Sequence, residues 1–188
     1  MIGAAAATLE GEPGPRDYRA AYPGLQDQSV SVLVDVPPNL TRAYPGLADH
    51  LTRVTGAAID AAVPAASVTG PASAADLEAT LPNWASMPPR RLVQRLGTAR
   101  LVVIDVSRYQ LRASDAELLW RGEVEALVRV HEAESVDADN AAFAERVTAA
   151  FPSDSEFGVT GVTRPTVEAE LASAFAKQIR QLFADHQR

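Results

Sequence analysis

Two short runs constrain the fold of this chain more than anything else in it. They are Val30-Ser31-Val32-Leu33-Val34-Asp35-Val36 and Leu101-Val102-Val103-Ile104-Asp105-Val106. Each is apolar at nearly every position, so each reads as a strand covered above and below rather than on one side. Helical sequence lies between them. Strands of this kind, separated by helices, predict an α/β domain.

The remaining sequence fills in the succession. Residues 1–27 carry Gly11, Pro13, Gly14, Pro15, Pro23 and Gly24 and are expected to be a flexible leader, with residues 28–188 forming a single α/β domain. The first strand stops at Pro37-Pro38, and a helix over about 45–62 places Leu47, Leu51, Val54, Ala58 and Ala62 at helical spacing. Pro64 ends it. A weak strand at 66–69 follows, then a short helix at about 74–81 capped by Ser73, then a helix over 89–96 that Pro88-Pro89 opens and Gly97 closes.

The strong strand spans about 99–112, with Tyr109 and Leu111 on one face and Arg108, Gln110 and Arg112 on the other. After a loop at about 113–117, residues 118–132 alternate Trp120, Gly122, Val124, Ala126, Val128 and Val130 with a mostly polar row, as a long antiparallel partner would. Gly122 is expected to mark a bulge or a close approach. Residues 141–151 suit either a helix or a strand, and a third meander strand is favoured because it continues the hairpin. Thr166 is expected to cap a last helix that reaches about 185 and buries Val167, Leu171, Phe175 and Ile179. The order is β-α-β-α-α-β-β-β-α: α/β (α+β), a mixed sheet of about four or five strands with helices packed on it.

Composition excludes several functions. With no cysteine, thiolate metal sites, disulfides and cysteine nucleophiles are ruled out. A net charge of −7 repels phosphate backbones and argues against a nucleic-acid binder. Neither a Gly-x-Ser-x-Gly elbow nor a glycine-rich phosphate loop occurs, and His50, His131 and His186 show no ligand spacing. No metal or other cofactor is expected.

Candidate sites remain. If the two apolar strands are parallel neighbours, Asp35 and Asp105 approach each other and could hold a metal or share a proton; otherwise each accepts local hydrogen bonds. Arg90, Arg91, Arg95 and Arg100 make a local basic patch, either a solvated face with ion pairs to residues such as Asp76 or Glu78 or a contact for an acidic partner. The pentapeptide Ala-Tyr-Pro-Gly-Leu occurs at 21–25 and again at 43–47. It reads as two turns docking a Tyr and a Leu, with Tyr22, Tyr44 and Trp120 as the aromatic candidates for a partner surface.

The element order resembles the α/β domain of bacterial envelope lipoproteins related to the curli-secretion protein CsgG, the penicillin-binding-protein activator LpoB and the amino-terminal domain of TolB. The first strand at 29–36, the Gly97-ended helix before Ala99–Val106, the partner strand Leu119-Trp120-Arg121-Gly122-Glu123-Val124 and the last helix carry that resemblance. It implies a non-enzymatic, periplasmic or cell-envelope accessory protein acting through a protein partner or self-association, with a membrane tether through a segment upstream. The lipid-bearing cysteine of such proteins is absent from this chain. A small-molecule or metal-binding domain, or an enzyme, using Asp35 and Asp105 is the competing expectation, and a cytoplasmic location the competing address.

Overall fold

The computed structural model describes residues 17–69, 74–114, 119–135, 137, 139–155 and 157–187. The strands are β1 (Asp17–Tyr18), β2 (Ser29–Asp35), β3 (Ser67–Val68), β4 (Arg100–Ser114), β5 (Leu119–Glu132), β6 (Phe143–Phe151) and β7 (His186–Gln187). The helices are α1 (Pro38–Ala43), α2 (Leu47–Ala62), α3 (Ala74–Thr80), α4 (Pro89–Leu96) and α5 (Arg164–Phe183), with a 3-10 turn at Trp84–Ser86. Five strands form one mixed sheet in the order β3-β2-β4-β5-β6. β2 runs parallel to both β3 and β4, whereas β4, β5 and β6 form an antiparallel meander. The α/β expectation and the strand at 143–151 both hold.

The doubly apolar runs are explained by the layers. Val30, Val32 and Val34 of β2 and Val102 and Ile104 of β4 pack with Leu51, Ile59, Leu171 and Phe175 of α2 and α5. The alternate residues Leu33 and Leu101 pack on the opposite face with Leu77, Trp84, Leu92 and Val93. α4 is closed as its sequence suggests: Gly97 takes a left-handed φ of 67° and its N–H reaches the carbonyl of Val93 at 3.0 Å.

The meander extends well past the end of β2. Its register shifts between Val106 and Arg108, so Ser107 is an extra residue that reverses the alternation. Tyr109 therefore faces the same side as Val106 and is buried, while Arg108 lies opposite Glu125 on the outer face. The bulge thus sits on β4, and Gly122 instead marks a close approach to α5.

Two local expectations are corrected. Residues 17–27 belong to the packed domain: β1 pairs with β7, Leu25 is fully buried, and the Tyr22 N–H donates to the carbonyl of Leu182 at 2.9 Å. Residues 1–16 of the expected leader lie outside the described residues, as do Ser73 and the loop residues 115–118. The helix expected over about 45–62 is α2, and a further short helix, α1, precedes it, with Gly46 at φ 79° between the two. The cap of α5 is Thr163, whose hydroxyl accepts from the Thr166 N–H at 3.4 Å. Pro165 explains the earlier start, since a proline lacking an N–H suits the first helical turn.

Among the described residues, no helix is long and apolar enough to cross a membrane.

Candidate functional site

The parallel register of β2 and β4 makes Asp35 and Asp105 direct partners. Both point to the sheet face that α3, the 3-10 turn and α4 cover at one end only, and they sit where that cover stops. Arg129, on β5, donates from Nε at 2.9 Å and from Nη2 at 2.7 Å to a single Asp105 oxygen. Burial raises the Asp35 pKa above the ordinary carboxylate value, and the neighbouring Asp105 charge adds to the effect. The Val36 amide and the Arg129 charge act in the opposite direction.

Around these groups lies a cavity of about 180 Å³ walled by Trp84, Met87, Leu101 and His131. That is below the roughly 300–1,000 Å³ typical of ligand pockets. Among the described residues, no group of three or more His, Asp or Glu is placed to hold a metal. Asp105 is paired with Arg129, which ties β4 to β5, and Asp35 of β2 lies beside that pair without an ion-pair partner of its own among the described residues.

His131 is enclosed although its neighbours in the same row of the strand are not. It lies in the polar row of β5, yet it is only 1% exposed, because it faces Leu101 under the helix-covered end of the sheet.

The other candidates are dispersed. Arg90, Arg91 and Arg95 are exposed on α4, and Glu78 is engaged instead by the Asn83 N–H at 3.2 Å. The Asp76 side chain lies outside what is described. Arg100 leaves that patch altogether: it is buried, pairs with Glu134 at 2.6 Å and donates to the Gly24 carbonyl at 3.0 Å. Tyr22 packs on Phe143 and Phe183 and donates its hydroxyl to Glu132. Burial, reinforced by that carboxylate, raises its pKa. Tyr44 stacks edge-on against Tyr109 with ring centres 4.8 Å apart. Trp120 is half-buried, and its backbone pairs with Val159 through two 2.9 Å hydrogen bonds.

What sequence reasoning did not assemble is the outer face of the meander. Beyond Asp105, no described helix covers the side of β4–β6 that carries Arg108, Gln110, Arg121, Glu123, Glu125 and Leu127. Arg108 lies between Glu123 at 3.4 Å and Glu125 at 3.6 Å, and Arg121 meets Glu123 at 2.9 Å. Leu127, 37% exposed, sits between Asp105 on β4 and Arg146 on β6. The signal lay in the polar row of β5, whose charged residues Arg121, Glu123 and Glu125 mark a stretch without a helix over it.

This is a layered α/β domain with a mixed five-stranded sheet, helix-covered on one face and partly bare on the other. No protein-family model matches the sequence, and no curated protein does. Among solved structures the fold is similar to that of the PelC dodecamer from Paraburkholderia phytofirmans. The two are 12% identical with a TM-score of 0.51, over 90% of this chain and 96% of that one. A PelC variant from the same organism gives a TM-score of 0.50 at 11% identity, over 92% of this chain and 99% of the other. Lipoprotein GNA1162 from Neisseria meningitidis is 19% identical over 80% of this chain and 96% of that one, with a TM-score of 0.48. At these identities the likeness is one of fold.

Proposed function

We propose that this chain is a non-enzymatic accessory protein of a bacterial cell envelope that works by assembling with copies of itself. The observation that carries the reading is the bare, charge-laced face of the meander. It carries both Arg and Glu side chains within one surface, so a second copy of the same surface can offer each charge an opposite one. Exposed ion pairs stabilise a fold by only about 0–1 kcal/mol each, so the ladder contributes little to the fold itself. Leu127 supplies an apolar centre within a polar surround, the usual anatomy of an interface.

The fold likeness to PelC, a dodecamer, supports assembly, and the resemblance of the element order to envelope lipoprotein domains supports the location. Pairing through the β6 edge is less favoured, because Glu145 and Arg146 are exposed there and charge blunts an edge strand.

Sedimentation velocity across a concentration series tests the proposal. Oligomers are expected for the native chain and monomers for Leu127→Lys. Raising salt from 0.1 M toward 1 M shortens the screening length from about 10 Å to about 3 Å and should weaken the assembly. A native chain that remains monomeric at every concentration overturns the reading.

A further inference from the structure

A second cavity, of about 530 Å³, lies on the helix-covered side of the sheet between the first turns of α2 and α5. We propose that it binds a small organic monocarboxylate with an apolar or aromatic body.

Three features point to that chemistry. The first is Tyr109, which the bulge at Ser107 turns inward. It is 3% exposed and lines the cavity, yet its hydroxyl makes no hydrogen bond to a described residue. The ring is enclosed but the hydroxyl is not sealed off within the fold: it opens into the cavity, where a ligand oxygen would accept its hydrogen bond. Burial, reinforced by the Glu168 charge, raises the pKa of this hydroxyl, so it is held protonated as a donor.

The second feature is the pair of helix starts. α2 has 16 residues and α5 has 20, and both present the positive ends of their dipoles here. At α2 the cap is Gly46, which has no side chain, and the Leu47 N–H is taken by the Tyr44 carbonyl at 3.2 Å, while at α5 the Thr163 hydroxyl takes the Thr166 N–H; the dipole ends, and not a full set of free amides, face the cavity.

The third is the wall itself. Arg164 lies over the Tyr44 ring, 5.6 Å from its centre, and its Nε donates to Glu168 at 2.8 Å. With Glu168 in the same wall, a single negative charge is accommodated and a dianion is opposed. Pro45, Leu47 and Pro165 supply the apolar surface for the ligand body. The cleft is on the opposite side of the sheet from the charged meander face, so filling it does not depend on assembly.

Titration of the uniformly 15N-labelled full chain with N-acetylphenylalanine, followed by amide chemical shifts, tests the proposal. Shifts are expected around residues 46–50 and 164–169, with N-acetylphenylalanine amide binding about tenfold more weakly or worse. Tyr109→Phe should weaken the acid by a similar factor while leaving the melting temperature unchanged or higher. Arg164→Leu, at an exposed position, provides a second variant that should also weaken it. The proposal is overturned by an absence of shifts at millimolar acid, by equal binding of acid and amide, or by unchanged affinity in both variants. Inorganic phosphate binding as tightly as the acid would equally overturn it.

Discussion

Gly122 on β5 and Leu171 on α5 meet so closely that a Cβ built on the glycine would stand 2.9 Å from Leu171 Cδ2. Leu171 is fully buried and Leu111 Cδ2 closes the other side at 3.3 Å, so the leucine has little room to retreat. Alanine gains about 0.5–1 kcal/mol over glycine in a strand, which offsets part of the clash. Gly122→Ala should therefore cost about 1 kcal/mol net, and Gly122→Val about 2–3 kcal/mol, as overpacked cores do. Urea denaturation of the two variants measures the difference, and equal stability of all three chains would contradict the contact.

The start of α5 separates two threonines of similar appearance. Thr163 caps the helix through its hydroxyl, whereas Thr166 lies in the first turn and donates its backbone N–H to that cap. Thr163→Ala should cost about 1 kcal/mol. Thr166→Ala retains the capping hydroxyl and should cost less. Thermal melts of the two variants in parallel read the ranking.

Asp35 gives the fold a dependence on pH with a definite sign. Its folded pKa is raised, so between the unfolded value near about 3.9 and the higher folded value the native state binds more protons than the unfolded chain. Stability therefore falls as pH rises through that window. Asp35→Asn should melt higher than the native chain at pH about 7 and no differently below both values, near pH about 3. Arg129→Met removes a charge that lowers the Asp35 pKa, so carboxyl 13C titration should show it moving further upward.

Arg100 ties the segment at residues 22–25 to the sheet. It is 7% exposed and joins Glu134, the Gly24 carbonyl and, at 3.8 Å, Glu132, which in turn accepts from Tyr22. Arg100→Met should cost about 1.5–3 kcal/mol through its lost charged hydrogen bonds. Glu134 is largely exposed, so Glu134→Gln should cost less than about 1 kcal/mol. Hydrogen exchange at the Tyr22 amide should accelerate in the arginine variant and change little in the glutamine one.

Much of this architecture is legible in the residues because covering leaves periodic marks. β2 and β4 read as doubly covered strands, and their parallel pairing is what brings Asp35 opposite Asp105. β6 was separable from a helix by its continuation of the hairpin. Packing without a period leaves no such mark: Leu25 and Tyr22 are held by an irregular segment rich in proline and glycine, which looks like a tail when only composition is read. His131 sits in a polar row but under the end of the sheet that α4 covers, a distinction made by neighbours distant in sequence. The cleft at Tyr109 depends on a one-residue bulge and on two helix starts more than 100 residues apart, Leu47 and Arg164, so it exists only at the tertiary level.

The pairing of β1 with β7 is only two residues deep: Asp17 faces Gln187, and Tyr18 stacks on His186 with ring centres 5.4 Å apart. Both ends of the described chain consequently emerge at one corner of the domain, and tension applied between them opens this short ladder by peeling, one rung at a time. The sheet behind it bears load only after those rungs have parted, so the corner acts as a mechanical fuse ahead of the core.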